Sequence, residues 1–244
     1  MNLILFERHE AVAPLPRDDP RARHLLEVLR RQETDTFDAG LVDGPLGKGT
    51  LVAIGPDALT LTFTWGPPPP PPDPLILLIG LPRPQTARDI LRDATTLGAA
   101  ALHFVGTERS DPNYAASTLW SSGEWRRHAL AGAAQAFATR VPLVSWNQTL
   151  ADALGTLAPD AGRVALDNYE AKAPLSAVLA SRPPATPVTP LVLALGPERG
   201  WGPADRDALR AHGFTLAHLG ARVLRSETAV IAALTLARAR LGLV

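Results

Sequence analysis

The sequence predicts an α/β protein in which a small, mostly β domain precedes a larger domain built on a largely parallel sheet. From Leu75 onward, short apolar runs alternate with segments of helical periodicity, which is typical of a parallel sheet with helices on both faces. Before residue 66, short β-prone runs are separated by turns rich in glycine and proline. The change of pattern indicates two domains.

A proline-rich segment separates the two patterns. Seven of the nine residues from Gly66 to Pro74 are proline, which favours extended polyproline II geometry and excludes the segment from a sheet interior. We therefore expect domains at 1–66 and 75–244, joined by a semi-rigid linker at 67–74.

In the first domain the pattern predicts one helix and four strands. The strands are expected over 3–6, 36–43, 50–54 and 59–65. The helix is expected over 20–31, and its Leu25, Val28 and Leu29 are expected to pack inward.

In the second domain the pattern predicts alternating strands and helices. The strands are expected over 75–81, 101–105, 141–146, 163–167 and 191–195. Helices are expected up to Leu97 and over 125–137, 149–157 and 174–181. A last helix is expected to begin with Ser226 as its N-cap and to bury a face formed by Val230, Ile231, Leu234 and Leu241.

Composition narrows the possible functions. The 244-residue chain contains no cysteine, which excludes disulfides, thiolate metal sites and cysteine nucleophiles. Its six histidines lack metal-ligand spacing such as HExxH, so no metal site is expected. No apolar stretch approaches the roughly 20 residues of a membrane span, and we expect neither a signal peptide nor a membrane partner. A cytoplasmic protein is predicted.

The charges are unevenly distributed, although the formal net charge is zero. Residues 1–73 hold seven Lys and Arg against eleven Asp and Glu, whereas residues 74–244 hold seventeen against thirteen. Electrostatic attraction for a nucleic acid should therefore come mainly from the second part of the chain.

Two loops near the C-terminus are the strongest candidates for a binding site. The apolar strand at 191–195 ends at a loop over 196–203, and a short strand at 214–219 leads into a loop over 219–228. Ligands of open α/β sheets bind outside the carboxyl ends of the strands, where backbone N–H groups and helix N-termini are available. Both loops stand at such positions.

These two loops carry a resemblance to a known family. GPERGW at 196–201 and LGARVLRSETA at 219–229 resemble the GPEGG(F/W) and LGxR(I/V)LRxETA motifs of the RsmE family. Members of that family are S-adenosylmethionine-dependent methyltransferases of the SPOUT superfamily, and they modify ring nitrogen 3 of a uridine in small-subunit ribosomal RNA. The resemblance implies a PUA-like β-barrel at the N-terminus, a SPOUT domain with a C-terminal trefoil knot, and a homodimer.

The resemblance also implies which residues bind S-adenosylmethionine. In SPOUT proteins three loops at strand ends hold this cofactor, and they correspond here to 166–169, 195–200 and 219–224. The expected cofactor-binding residues are Leu166, Leu195, Gly196, Pro197, Glu198, Gly200, Leu219, Gly220, Val223, Leu224 and Thr228. Gly220 is expected where the backbone must approach the ligand closely.

Methylation of the uridine ring nitrogen requires loss of its proton. A guanidinium near the uracil oxygens would stabilise the anion, and a carboxylate could instead accept the proton. Arg222, Arg225 and Glu227 follow the cofactor loop, and we expect catalytic residues among them. A local ion pair and helix N-terminal charge are the alternative roles of Arg225 and Glu227.

Other motif residues are expected to contact RNA. RHLLEVLR at 23–30 resembles the helix that opens the family's first domain, TERS at 107–110 matches a family segment, and Gln135 and Arg140 match its EQxxR segment. The expected RNA-binding residues are Arg23, His24, Arg30, Arg109, Gln135 and Arg140. The expected partners are ribosomal RNA or the small ribosomal subunit and a second copy of the chain, with Trp120, Trp125 and Trp201 as dimer anchors.

Departures from the family pattern leave alternatives open. Arg199 replaces a motif glycine, Asp93 replaces a lysine, and Ala134 replaces a glutamate. The acceptor could therefore be another RNA, or the protein could be a catalytically silent RNA-binding paralogue. A nucleotide hydrolase is disfavoured because GPERGWG lacks the Lys-Ser/Thr ending of a phosphate-binding P-loop.

Overall fold

The computed structural model describes residues 3–244, which form an α/β fold divided into two compact units. The first unit runs to Pro70 and also includes Ala133–Val141, and the second comprises Pro71–Gly132 and Pro142–Val244. The proline-rich segment at 66–74 predicted a single boundary, so it gave no sign that Ala133–Val141 belongs to the first unit. The domain limits at 66 and 75 stay a prediction.

The first unit is built on a curled five-stranded sheet with the order β1-β3-β4-β5-β2. Its strands are β1 (Ile4–Phe6), β2 (Leu15–Pro16), β3 (Thr36–Leu41), β4 (Leu46–Ile54) and β5 (Ala58–Trp65). β1 pairs in parallel with β3, and the other pairs are antiparallel. Phe6, Leu25, Leu51 and Leu59 are fully buried in its core.

The helix predicted over 20–31 is shorter and changes its winding. It consists of α1 (Pro20–Arg23) followed by a π-helical turn over His24–Val28, in which the N–H of Leu29 donates to the carbonyl of His24. The wider turn changes the directions of the side chains within it relative to an α-helix. Leu25 is buried as predicted, but the prediction for Val28 is wrong, because 66% of it is exposed.

Arg21 binds two carboxylates beside this helix. Its guanidinium donates to Glu10 at 2.7 Å and to Asp19 at 2.8 Å, and it lies 5.0 Å from the centre of the Phe6 ring. The hydrogen bond from Arg21 lowers the pKa of both Glu10 and Asp19. A lowered pKa contributes stability above the ordinary carboxyl pKa, and this contribution is lost as the pH falls through the lowered value.

Arg21→Met is therefore expected to destabilise the protein at neutral pH and to have a smaller effect in acid. We expect a loss of about 1 kcal/mol at neutral pH, since the three charged groups are partly exposed. The difference between wild type and variant should shrink below the ordinary carboxyl pKa of about 4. Urea unfolding at neutral and acidic pH would measure it, and a difference independent of pH would contradict the assignment.

The second unit is built on a six-stranded, entirely parallel sheet with the order β11-β9-β10-β6-β7-β8. Its strands are β6 (Leu75–Gly80), β7 (Ala101–Gly106), β8 (Leu143–Thr149), β9 (Gly162–Leu166), β10 (Leu191–Leu195) and β11 (Thr215–Ala217). The predicted parallel sheet is confirmed. β8 extends beyond its predicted end, because its pairing with β7 resumes at Gln148 after a register irregularity at which Asn147 has a φ of 63°.

Helices cover both faces of this sheet, as predicted. They are α2 (Pro84–Thr96), α3 (Thr118–Ser121), α4 (Glu124–Gln135), α5 (Leu150–Thr156), α6 (Leu175–Ala180), α7 (Pro203–Ala211) and α8 (Ser226–Arg240). Alternating strand residues enter two separate cores, so that Leu77 and Leu193 lie in one and Leu78 and Val192 in the other. No helix among residues 3–244 is both long enough and apolar enough to cross a membrane.

The last helix corrects two predictions. Arg225, not Ser226, occupies the N-cap position, since Arg225 has an extended backbone while Ser226 is already helical and makes no side-chain cap bond. The buried face consists of Val230, Ala233, Leu234 and Ala237. These residues follow the i, i+3, i+4, i+7 spacing of one helix face. Ile231 lies beside that face and is 39% exposed, and Leu241 is the C-cap residue and is only partly buried.

Two of the three tryptophans expected as dimer anchors are core residues. Trp120 is 3% exposed and packs against Phe104 and Trp146, with ring centres 4.9 and 5.4 Å away. Trp201 is 1% exposed. Neither side chain is available to a partner, whereas Trp125 is only partly buried.

Candidate functional site

Residues of the two C-terminal motifs meet in a cleft at the carboxyl edge of the parallel sheet. Leu195 pairs with Leu166 and Ile79, and Ala217 pairs with Leu166, so the loops leaving β9, β10 and β11 begin at one edge. These loops and the start of α8 enclose the main cleft. Its lining residues are Leu166–Tyr169, Leu195–Trp201, Leu219, Val223, Leu224, Ser226 and Ala229.

The loop after β10 is held against its neighbours by close backbone approach. A Cβ on Gly80, at the end of β6, would lie 2.4 Å from Pro197 Cδ and 2.7 Å from Pro197 N. A Cβ on Gly196 would lie 3.0 Å from the backbone nitrogen of Trp201. Trp201 Nε1 in turn donates to the carbonyl oxygen of Leu166 at 2.9 Å. Glycine at 80 and 196 therefore lets this loop reach the loop after β9.

The loop after β9 is shaped by a buried carboxylate. Asp167, with 1% of its side chain exposed, accepts from the backbone N–H groups of Tyr169 at 2.8 Å and Glu170 at 2.6 Å. It also accepts from Arg206 Nε at 2.7 Å. The Arg206 guanidinium is 6% exposed and lies 5.4 Å from the centre of the Tyr169 ring. This ion pair fixes one wall of the main cleft from α7.

The loop after β7 is hydrogen-bonded to α7 and to the loop after β10. Asp205 accepts from the backbone N–H of Glu108 at 3.2 Å, and the Glu108 carboxylate accepts from the N–H of Ala204 at 3.2 Å. Arg109 Nη1 donates to the carbonyl oxygen of Arg199 at 2.9 Å. The segment predicted to contact RNA therefore also supports a loop of the main cleft.

Comparison with known proteins identifies the family. Residues 69–238 match the model of the RNA methyltransferase domain. The chain is 31% identical to Ribosomal RNA small subunit methyltransferase E of Treponema pallidum, over 96% of this chain and 89% of that protein. The chain belongs to this family of RNA methyltransferases. It is also 24% identical to Ribosomal RNA small subunit methyltransferase E 1 of Borreliella burgdorferi, over 96% of this chain and 95% of that protein.

A solved structure of a family member has the same fold. It is the Ribosomal RNA small subunit methyltransferase E of Neisseria gonorrhoeae bound to S-adenosyl methionine. The TM-score is 0.76 and the identity 22%, with 98% of this chain and 97% of that chain covered. At this identity the similarity shows a shared fold.

Most of the residues that the family motifs assigned to the cofactor line the main cleft. Nine of the eleven do so: Leu166, Leu195, Gly196, Pro197, Glu198, Gly200, Leu219, Val223 and Leu224. Gly220 and Thr228 lie outside its lining. A Cβ on Gly220 would meet no protein atom within 4 Å, and the expected close approach to the ligand stays a prediction. Gly220 has a φ of +103°, and this backbone conformation is what favours glycine.

Two of the three expected catalytic residues lie in a second cleft beside the first. This side cleft is lined by Arg83, Gln85, Thr86, Asp89, Glu198 and Val223–Glu227, so it shares Glu198, Val223, Leu224 and Ser226 with the main cleft. Arg225 and Glu227 are among its walls, and no ion pair joins them within residues 3–244. Arg222 lines neither cleft.

Five of the six expected RNA-binding residues belong to the first unit. Arg30 is exposed with a φ of 51°, and His24 is partly buried. Arg23 donates to the carbonyl of Asp18. Arg140 donates to the carbonyls of Pro69 and Pro70, while Gln135 is exposed at the end of α4. Only Arg109 belongs to the second unit, beside the main cleft.

Several residues of the site were not found by sequence reasoning. Asp167 and Arg206 are 39 positions apart, and no local pattern relates them. Gly80 lies within the strand predicted over 75–81, and no motif of the sequence includes it. Tyr169 lay within a loop expected to hold the cofactor, but its contact with Arg206 required α7 to be placed. The one available signal in the sequence was an aspartate, Asp167, at the end of the apolar strand predicted over 163–167.

Proposed function

We propose that the protein transfers a methyl group from S-adenosylmethionine to ring nitrogen 3 of a uridine in small-subunit ribosomal RNA. The observation that carries this proposal is the meeting of both C-terminal motifs in one cleft at the carboxyl edge of a parallel sheet. Membership of the RNA methyltransferase family supports the reaction. The uridine and its ring nitrogen come from the motif resemblance.

The lining of the main cleft fits S-adenosylmethionine, which supplies the methyl group. Leu166, Leu195, Leu219 and Leu224 offer apolar surface suited to an adenine ring, while the strand ends provide backbone donors and acceptors for the polar groups. Gly196 and Gly200 keep side chains away from the backbone at this point. The loops are held by buried contacts from Trp201, so the site is formed before the ligand binds.

The side cleft suits the acceptor base, because it shares walls with the main cleft. A uracil there would lie beside Arg225 and Glu227. The Arg225 guanidinium has no hydrogen-bond or ion-pair partner within residues 3–244, so it is available to stabilise negative charge on the uracil oxygens. Glu227 would receive the ring proton or hold a water that does. Arg222, outside both clefts, would act only after a change in its loop.

Arg225→Ala is therefore expected to lower kcat for methyl transfer by about 100-fold, as removal of one donor to a developing anion typically does. The affinity for S-adenosylmethionine should stay within twofold, since Arg225 does not line the main cleft. Arg127→Ala, which removes an exposed charge from α4, is a suitable control and should retain wild-type kcat. Single-turnover methyl transfer and calorimetry would measure both quantities. Equal losses of kcat in the two variants would contradict the role of Arg225.

The proposal extends to the domain architecture, the partners and the location of the protein. The first unit would be the PUA-like RNA-binding domain, and the segment ending in α8, which packs against α2, α6 and β10, would form the trefoil knot. The protein would act as a homodimer in the cytoplasm, where the small ribosomal subunit is its substrate. Light scattering that gave a monomer at micromolar concentration would contradict the dimer.

Mass spectrometry of RNA tests the substrate. Small-subunit ribosomal RNA from cells with and without the gene should differ by one methylated uridine. Loss of a modification from a different RNA would favour the alternative acceptor. The silent RNA-binding paralogue would be supported if calorimetry showed no binding of S-adenosylmethionine.

A further inference from the structure

A third concavity, the arginine groove, adjoins the main cleft. It shares Pro197, Glu198 and Arg199 with that cleft, so one loop forms a wall of both. Its charged lining residues are Arg83, Arg109, Arg199, Glu108, Asp111 and Glu198. The groove has a volume of about 570 Å³, which lies within the usual range of ligand pockets.

The arginines of the groove retain unused hydrogen-bond donors. The Arg199 side chain has no partner within residues 3–244, and Arg109 uses only Nη1, which donates to the Arg199 carbonyl. Arg83 is 66% exposed at its side chain and approaches Glu198 at 3.4 Å. Each guanidinium can present five N–H groups, so most of this donor capacity faces the groove or solvent.

The carboxylates of the groove, in contrast, have internal partners. Glu108 accepts from the N–H of Ala204 at the start of α7, and Asp111 accepts from the N–H of Asn113. Glu198 accepts from the backbone N–H of Arg83 at 3.0 Å. The groove is lined by three arginines and three carboxylates, so its formal charge is zero. Its hydrogen-bonding groups without a protein partner in residues 3–244 are mainly the N–H donors of the arginines.

We propose that the arginine groove binds a backbone phosphate of the RNA next to the methylated nucleotide, with Arg199 as its main ligand. The inference rests on the proposed function, since the groove shares Arg83 and Glu198 with the side cleft, where the methylated nucleotide would lie. A planar guanidinium binds two phosphate oxygens at once, and this geometry suits a positioning residue. Arg199 thereby fixes the register of the RNA without reading its sequence.

The carboxylate of S-adenosylmethionine is the competing ligand, because Arg199 also lines the main cleft. The positions of Arg83 and Arg109 favour the phosphate over the carboxylate. Both line the groove and neither lines the main cleft, so a phosphate in the groove would have three arginines in its surroundings. A carboxylate in the main cleft would have only Arg199.

The test compares Arg199→Ala, Arg199→Lys and the control Arg127→Ala. Binding of a fluorescently labelled single-stranded uridine oligonucleotide is measured by anisotropy over a range of potassium chloride concentrations. Arg199→Ala should weaken binding about tenfold and reduce the slope of log affinity against log salt by about 0.7, the contribution of one phosphate on a single strand. Arg199→Lys should keep the slope, and the control should match wild type. Calorimetry with S-adenosylmethionine should give one dissociation constant for all four proteins.

Three results would overturn the inference. They are an unchanged salt slope in Arg199→Ala, a weakened affinity for S-adenosylmethionine with RNA binding intact, and a wild-type protein that does not bind the oligonucleotide. Since none of these measurements requires methyl transfer, they are independent of the test of the proposed function. In an active enzyme, Arg199→Ala should also lower kcat/KM for small ribosomal subunits about tenfold.

Discussion

Gly80→Ala is expected to abolish detectable binding of S-adenosylmethionine and to destabilise the second unit by about 1–3 kcal/mol, as overpacking of a core does. The added Cβ would stand 2.4 Å from Pro197 Cδ and 2.7 Å from Pro197 N. Neither atom can move without displacing the loop after β10, because proline has few ways to rotate and its nitrogen is part of the backbone. That loop supplies six lining residues of the main cleft, from Gly196 to Trp201.

Gly155→Ala is the matched control for this substitution. Gly155 lies in α5, and a Cβ there would meet nothing within 4 Å. The replacement should leave cofactor binding unchanged and stabilise the protein by about 0.4–1 kcal/mol, because alanine restricts the unfolded chain. Calorimetry and thermal unfolding would measure both effects. A folded Gly80→Ala protein with wild-type affinity would show that the loop is free to move and is not held as described.

Sequence patterns predicted the second unit well because its strands are buried on both faces. Short apolar runs such as Leu191–Leu195, each followed by a predicted helix, indicate buried strands of a parallel sheet. A parallel sheet brings the carboxyl ends of its strands to one edge. This reasoning located the loops over 196–203 and 219–228, and the motif resemblance added the loop at 166–169. Their meeting in one cleft is confirmed by the register of β9, β10 and β11.

The details that escaped prediction depend on contacts between distant segments. Gly80 and Pro197 meet because β6 and β10 are neighbours, which no local pattern reveals. The exposure of Val28 results from one π-helical turn, and a periodicity of 3.6 residues cannot represent that turn. Gly220 has a backbone conformation that itself favours glycine, and its expected close approach to the cofactor stays a prediction.

Arg206→Met is expected to produce the largest loss of stability, about 3–5 kcal/mol, because it leaves the buried Asp167 carboxylate without its cation. Asp167 would retain only the N–H donors of Tyr169 and Glu170. The loop after β9 should then loosen, and affinity for S-adenosylmethionine should fall with it. Arg210→Met provides the comparison, because Arg210 also pairs with Glu170 from α7 but is 44% exposed. Its loss should remain within about 1 kcal/mol.

The joint change Asp167→Leu with Arg206→Met separates charge burial from loop geometry. Replacing a buried ion pair by apolar groups can restore stability, but the backbone N–H groups of Tyr169 and Glu170 would lose the acceptor that Asp167 provides. We therefore expect the double variant to be more stable than Arg206→Met and yet to bind S-adenosylmethionine poorly. Urea unfolding and calorimetry would measure these two quantities. Recovery of wild-type affinity in the double variant would show that Asp167 and Arg206 stabilise the fold without shaping the cleft.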